Sequence, residues 1–72
     1  MRIQVACRDG DPRAFYLGSQ RLDVLRVIER AADGLTRRYR VTVPDGRVFL
    51  LSLNLASGDW RLASVDPYQR TA

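Results

Sequence analysis

The sequence contains no histidine and no lysine, so two side chains that often carry enzyme chemistry are missing. Histidine is the usual general acid and base near neutral pH, and lysine is the amine that forms Schiff bases. The chain also lacks a paired nucleophile and base, a glycine-rich phosphate-binding loop and the Cys/His spacing of a metal site. We therefore expect a protein that is not an enzyme and that holds no cofactor and no metal.

Cysteine and long apolar runs are equally scarce. Cys7 is the only cysteine, and no apolar run approaches the roughly 20 residues of a membrane-spanning helix. A single cysteine closes no internal disulfide, and no apolar secretory segment follows Met1. These features predict a cytoplasmic protein that does not enter a membrane. Because Cys7 alternates with Ile3 and Val5, we expect its thiol to be buried and unreactive.

The length limits the size of the fold. A chain of 72 residues has room for one small domain and buries only about 60% of its unfolded surface, which leaves little room for a deep catalytic cleft. Hydrophobic residues make up 46% and charged residues 28%, as in ordinary globular proteins and unlike disordered ones. We predict one domain at residues 1–66 and a short polar tail at residues 67–72.

Residues 36–65 show the two-residue alternation of β-strands. A Pro-Asp-Gly sequence at residues 44–46 interrupts it, because proline presets φ for a turn and glycine accepts positive φ. A second glycine-containing turn follows at residues 56–59. Three antiparallel strands are therefore predicted. Their aromatic side chains alternate in phase with aliphatic neighbours and are expected in the core: Tyr39, Phe49 and Trp60.

The first half of the chain contains two shorter strands, at residues 2–8 and 13–17, and one ambiguous segment. Residues 20–33 place their apolar side chains on one side of a helical projection, and Gly34 suits a helix C-cap. In favour of a strand, Val24, Val27 and Ile28 are β-branched, and the spacing of the two valines fits a strand with a β-bulge. On the residues alone the helix fits slightly better than the strand.

A series of short motifs extends over residues 3–66. It consists of Asp9-Gly10 with Pro12 and Phe15, Gly18, Val24 with Val27, Arg37-Arg38-Tyr39-Arg40-Val41, Asp45-Gly46, and Gly58 with Trp60 and Leu62. This order resembles a family of small uncharacterised bacterial β domains, which occur alone or appended to proteins related to error-prone, lesion-bypass DNA polymerases. The chain departs from the family at residues 31–35, where relatives usually carry tryptophan.

The resemblance implies a fold and a biological setting. It implies that residues 20–33 form a bulged third strand in an all-β antiparallel meander of five or six strands, which is strongly twisted or forms a partly closed barrel. The alternative is an α+β fold in which one helix at about residues 20–33 packs on the sheet. The resemblance also implies a link to DNA repair or lesion bypass.

The charge pattern supplies candidate contact residues. All 12 basic residues are arginines, and the formal net charge is +4. A GC-rich genome favours arginine codons, but guanidinium groups also bind phosphate bidentately and stack on bases. We predict a stripe of arginines across one face of the sheet, formed by Arg38, Arg40, Arg47 and Arg61. Four carboxylates are available to neutralise it: Asp23, Asp33, Asp45 and Asp59.

Two functional hypotheses follow. In the first, the chain is a non-catalytic interaction or scaffold domain that pairs through a sheet edge with a partner protein or a second copy, and Arg2 and Arg8 are charged edge positions that discourage such pairing. In the second, the arginine stripe binds single-stranded nucleic acid. Salt distinguishes the two, because phosphate binding weakens steeply with ionic strength and the docking of an apolar edge does not.

Overall fold

The protein is all-β in a computed structural model that describes residues 1–66. Its strands are β1 (Arg2–Arg8), β2 (Asp11–Leu17), β3 (Gln20–Asp23), β4 (Arg26–Asp33), β5 (Thr36–Thr42), β6 (Val48–Asn54) and β7 (Trp60–Asp66). The predicted all-β class is confirmed, and the alternative helix at residues 20–33 is wrong. The predicted tail, residues 67–72, lies outside the described residues.

The seven strands form one curled, half-barrel sheet in the order β3-β2-β1-β7-β6-β5-β4, with antiparallel neighbours throughout. The two outermost strands, β3 and β4, are consecutive in the chain and are separated only by Val24 and Leu25. The Val24 N–H donates to the Arg13 carbonyl of β2 at 2.8 Å, and the Leu25 N–H donates to the Thr42 carbonyl of β5 at 2.7 Å. This bend therefore ties the two ends of the sheet together.

The bend also explains the difference in strand number. The segment predicted as one bulged third strand divides at residues 24–25 into β3 and β4, so the sheet has seven strands instead of five or six. A register shift lies between Val27 and Glu29, where β4 pairs with β5. Gly34, which suits a helix C-cap in the sequence, adopts φ +59° in the turn between β4 and β5. The bend at residues 24–25 and the register shift together let apolar residues with helix-like spacing form two strands.

The core lies on the concave face of the sheet. Phe15 and Phe49 are fully buried with their ring centroids 5.0 Å apart in an edge-to-face arrangement, and Leu51 is fully buried as well. Tyr39 is 5% exposed, and its ring centroid lies 5.5 Å from that of Trp60. Tyr39 and Phe49 are thus core residues as predicted, whereas Trp60 is half-buried and packs against the margin of the core.

Cys7 is exposed, so the prediction of a buried thiol is wrong. The pairing of β1 with β2 shifts register between Ala6 and Cys7, where Cys7 pairs with Pro12. This places Cys7 near the turn that joins β1 and β2, beyond the buried part of the strand. The pKa of the thiol is raised, first by partial desolvation and then by the nearby carboxylate of Asp11. A raised pKa lowers the thiolate fraction at neutral pH.

The expected edge strand is also different. Strand β1 lies between β2 and β7, so it is internal, and the outermost strands of the sheet are β3 and β4. Arg2 therefore lies in a part of β1 that pairs with β7, whereas Arg8 lies in a part that pairs with β2 alone. The pairing of β1 with β7 nevertheless includes only Arg2 and Ile3.

Candidate functional site

Four polar side chains form a line across the middle of the sheet, from β5 through β6 and β7 to β1. Arg38 pairs with Ser52, Ser52 pairs with Arg61, and Arg61 pairs with Arg2. We call Arg38, Ser52, Arg61 and Arg2 the arginine row. Neighbouring strands lie about 4.8 Å apart, so the α-carbons of Arg38 and Arg61 are separated by roughly 10 Å.

The arginine row lies on the outer, convex face. Alternate side chains of a strand point to opposite faces, and the residues next to the row, Tyr39 on β5 and Leu51 on β6, are buried on the concave face. Arg2, Arg38 and Arg61 are correspondingly exposed. The alternation of core residues is thus what turns these guanidinium groups outward.

Two of these three arginines have no carboxylate partner within residues 1–66. Arg38 and Arg61 form no ion pair there, whereas a guanidinium nitrogen of Arg2 lies 2.6 Å from a carboxylate oxygen of Asp59. The hydrogen bond from Arg2 is the main cause of the lowered pKa of Asp59. Arg2 and Arg61 are directly opposite each other, and like charges in that position are destabilising. Asp59 already offsets part of this repulsion, because the charges of both Arg2 and Arg61 help to lower the pKa of its carboxyl group.

Two predicted members of the stripe do not join the row. Arg40 shares the outer face but lies 3.2 Å from Glu29 and 3.7 Å from Asp66, so two carboxylates neutralise it. Arg47 bonds Asp45 at 2.7 Å, and its guanidinium carbon lies 5.1 Å from the centroid of the Phe49 ring. Arg47 immediately precedes β6, and its position over the ring of the buried Phe49 places its side chain on the concave side.

The structure therefore brings together Arg38 and Arg61 of the predicted set, and it adds Arg2. The partnership of Arg2 with Arg61 joins two strands from opposite ends of the chain, and no local pattern in the sequence predicts that register. Parity along β6 would have excluded Arg47, because residues 47, 49 and 51 share one face.

The predicted neutralising carboxylates act mainly away from Arg38 and Arg61. Asp23, Asp45 and Asp59 form ion pairs with Arg21, Arg47 and Arg2, respectively. Asp33 forms none within the described part of the chain.

A shallow groove of about 870 Å³ adjoins the β1 end of the row, where β1 diverges from β7. Its walls include Arg2, Gln4, Tyr16, Gly58 and Trp60. Tyr16 pairs with Gln4 across β1 and β2, so it lies on the outer face like the arginine row, and its side chain is half-buried. The groove thus places a partly accessible aromatic ring beside Arg2, and Asp59, which bonds Arg2, lines the same groove.

An ion pair between β2 and β4 supports the curvature that presents this face. Two guanidinium nitrogens of Arg30 donate to the two carboxylate oxygens of Asp11, at 3.0 and 2.5 Å. The hydrogen bond from Arg30 is the main cause of the lowered pKa of Asp11. β2 and β4 are not neighbours in the sheet order, so this contact links the two ends of the sheet beside the bend.

The lowered pKa of Asp11 predicts a loss of stability in acid. A carboxyl group whose pKa is lower in the folded state stabilises the fold above its unfolded pKa, and this contribution is lost as the pH falls through the folded pKa. We expect Asp11→Asn to lower the melting temperature at pH 7 and to make its fall between pH 5 and pH 2 shallower. Thermal unfolding followed by circular dichroism across that range measures both effects.

Arg30→Gln is the matched variant, because it removes the other half of the same ion pair. It is expected to give the same shallower acid profile as Asp11→Asn. An acid profile as steep as that of the unmodified protein in both variants would contradict a stabilising role for this pair.

No family model, curated protein or solved structure matches the chain. Residues 1–66 contain no group of three or more His, Cys, Asp or Glu side chains placed to hold a metal ion. Over the same range, no helix has the length and apolar character needed to cross a membrane.

Proposed function

We propose that this chain is a small non-catalytic interaction domain, and that the partner which best fits its arginine row is a single-stranded nucleic acid. The observation that carries the proposal is the exposure of Arg38 and Arg61 on one face with no carboxylate partner within residues 1–66. Guanidinium groups grip phosphate oxygens bidentately, and a row of them follows a phosphate backbone.

The surroundings of the row favour a single strand over a duplex. Proteins that bind single strands without sequence preference combine a positively charged track with aromatic rings on which unstacked bases lie. Tyr16 and Arg2 line the same groove at the β1 end of the row. A base from a single strand can reach the Tyr16 ring, whereas the bases of a duplex remain stacked on one another.

A role in DNA repair is part of the same proposal. The resemblance to domains appended to relatives of lesion-bypass polymerases supports it, because such polymerases act where single-stranded template is exposed. An arginine row that holds the strand by its backbone requires no base sequence, which suits a protein that works at lesions in any sequence.

The test is the salt dependence of binding to a labelled oligothymidylate of roughly 10 nucleotides, a length within the usual range for small single-strand-binding domains. The two arginines of the row without a carboxylate partner, Arg38 and Arg61, predict a slope of log K against log salt of about −1.4, or about sevenfold weaker binding for a fourfold rise in salt. We expect the double variant Arg38→Gln/Arg61→Gln to bring the slope close to zero and to bind at least about tenfold more weakly at low salt.

The control is the double variant Arg13→Gln/Arg26→Gln. Arg13 and Arg26 also form no ion pair within residues 1–66, and they lie on β2 and β4, outside the row. Both double variants lower the net charge of +4 by two. Equal losses of affinity in the two double variants would show that binding depends only on total charge. Unchanged affinity in Arg38→Gln/Arg61→Gln would show that the arginine row does not bind the oligonucleotide.

A further inference from the structure

We propose that the open edge of β1 binds an extended, acidic segment of a partner protein, which adds to the sheet as a further strand. This inference goes beyond nucleic-acid binding by the arginine row, because it concerns the backbone of β1 and a different class of partner. Strand addition of this kind takes its affinity from main-chain hydrogen bonds and its specificity from alternate side chains.

The edge exists because residues 4–8 of β1 are paired on one side only. β1 pairs with β2 from Gln4 to Arg8, whereas its pairing with β7 stops at Ile3. The other side of residues 4–8 faces no strand in the described part of the chain. At about 3.3 Å per residue, this open edge is roughly 17 Å long.

The hydrogen bond between β1 and β7 shows which backbone groups face the opening. The Leu62 N–H donates to the Met1 carbonyl at 2.7 Å, so the backbone polar groups of Met1 point toward β7. These groups alternate sides along a strand, so those of Ile3, Val5 and Cys7 point the same way. Ile3 meets its partner on β7. Val5 and Cys7 therefore present their N–H and carbonyl groups to the open edge.

The pairing of Cys7 with Pro12 supports this orientation. Proline has no N–H, so it cannot exchange two hydrogen bonds with a partner across the ladder. Pro12 can occupy the other kind of antiparallel pair, in which the two opposite residues do not hydrogen-bond to each other. In such a pair the N–H and carbonyl groups of Cys7 point away from β2. The extra residue at the register shift, Arg13, lies on β2, so β1 itself remains regular.

Charge complementarity identifies the occupant. Of the two arginines among the outward side chains of β1, Arg8 forms no ion pair within residues 1–66, whereas Arg2 is bonded to Asp59. A second copy of this chain, paired antiparallel about Ala6, would bring together two molecules that each have a net charge of +4. An acidic segment meets favourable charge instead, so we assign the edge to a heterologous acidic strand.

The first experiment is amide hydrogen exchange, measured by NMR on the full chain. The amides of Val5 and Cys7 are expected to exchange at least about 100-fold faster than those of Gln4 and Ala6, which face β2. Protected Val5 and Cys7 amides would mean that another part of the chain or a second copy already covers the edge, and would overturn the proposal.

The second experiment selects binders from a phage library of random seven-residue peptides, in parallel on the unmodified protein, Cys7→Ala and Cys7→Pro. Cys7→Pro removes the outward N–H without taking a donor from the β2 ladder, and Cys7→Ala keeps that N–H. Peptides with alternating acidic residues are expected from the first two proteins. Their affinity for Cys7→Pro should be at least about tenfold weaker, since a hydrogen bond and close approach are both lost.

Arg8→Glu provides a variant that leaves the backbone unchanged if Cys7→Pro fails to fold. Arg8→Glu should weaken the binding of the selected acidic peptides by about fivefold or more. Arg38→Gln/Arg61→Gln, which changes only the arginine row, should leave the affinity for these peptides unaltered. The proposal would be overturned if no selected peptide bound Cys7→Ala more tightly than Cys7→Pro and if Arg8→Glu did not change the affinity of the peptides. A dimer in sedimentation that Cys7→Pro dissociates would also overturn it, because a second copy would then occupy the edge.

Discussion

Phe49→Ala is expected to lower the free energy of unfolding by about 3 to 5 kcal/mol, the usual cost of removing a buried aromatic side chain. Phe49 is fully buried at the centre of the concave face and contacts the Phe15 ring edge-to-face. The small sheet has few residues with which to fill the resulting cavity. Because small domains are stable by only about 5 to 15 kcal/mol, this loss is a large fraction of the total.

Chemical denaturation followed by Trp60 fluorescence measures the loss, and Leu55→Ala is the control because Leu55 is 42% exposed. The control is expected to change the free energy of unfolding by no more than about 0.5 kcal/mol. In a double-mutant cycle, Phe15→Ala and Phe49→Ala should show a coupling of about 0.5 to 1.5 kcal/mol. A loss below about 1 kcal/mol for Phe49→Ala would contradict the buried position of the ring.

Leu25→Pro is expected to destabilise the protein by about 2 to 3 kcal/mol, although the side chain of Leu25 contributes little. That side chain is 69% exposed, but the backbone N–H donates to the Thr42 carbonyl at 2.7 Å. Proline removes the donor and leaves a carbonyl of the buried Thr42 without this partner, and its ring adds steric strain at the bend. The hydrogen bond is one of two that hold the bend against both ends of the sheet.

Leu25→Ala separates the effect of the side chain from that of the backbone. It keeps the N–H and removes only exposed apolar atoms, so we expect a change within about 0.5 kcal/mol. Equal stability of Leu25→Pro and Leu25→Ala, measured by thermal and chemical unfolding, would show that the bend does not join the ends of the sheet. Faster amide exchange in β4 of Leu25→Pro would locate the loss at the bend.

The alternation of side chains was enough to predict the last three strands and most of the core. Tyr39 and Phe49 alternate with aliphatic residues in β5 and β6, and burial of one face forces this period on any half-buried strand. The same rule failed at Cys7, which alternates with Ile3 and Val5 but lies near the end of β1, beyond the residues that pack on the core. How far the core extends along a strand depends on its partners, so a single strand's sequence does not reveal it.

The arginine row could likewise be predicted only in part from the sequences of single strands. Arg38 and Arg61 were predicted on one face from their own strands, but Arg2 entered the row only through the pairing of β1 with β7. Arg40 was excluded by the carboxylates of Glu29 and Asp66, which lie beside it in space but far from it in the chain, whereas the alternation with Phe49 could already have excluded Arg47. Charge neutralisation depends on distances of a few ångströms, which composition cannot supply.

By itself the amino-acid sequence determined the last three strands, the positions of most turns and the identity of most central core residues, because strand period and turn chemistry are local properties. Only the tertiary structure decided that residues 20–33 bend into two strands, that β1 is internal with one side partly open, and which arginines remain without carboxylate partners. These features depend on contacts between residues far apart in the chain, and the hydrogen bonds at the bend and between β1 and β7 are what bring those residues together.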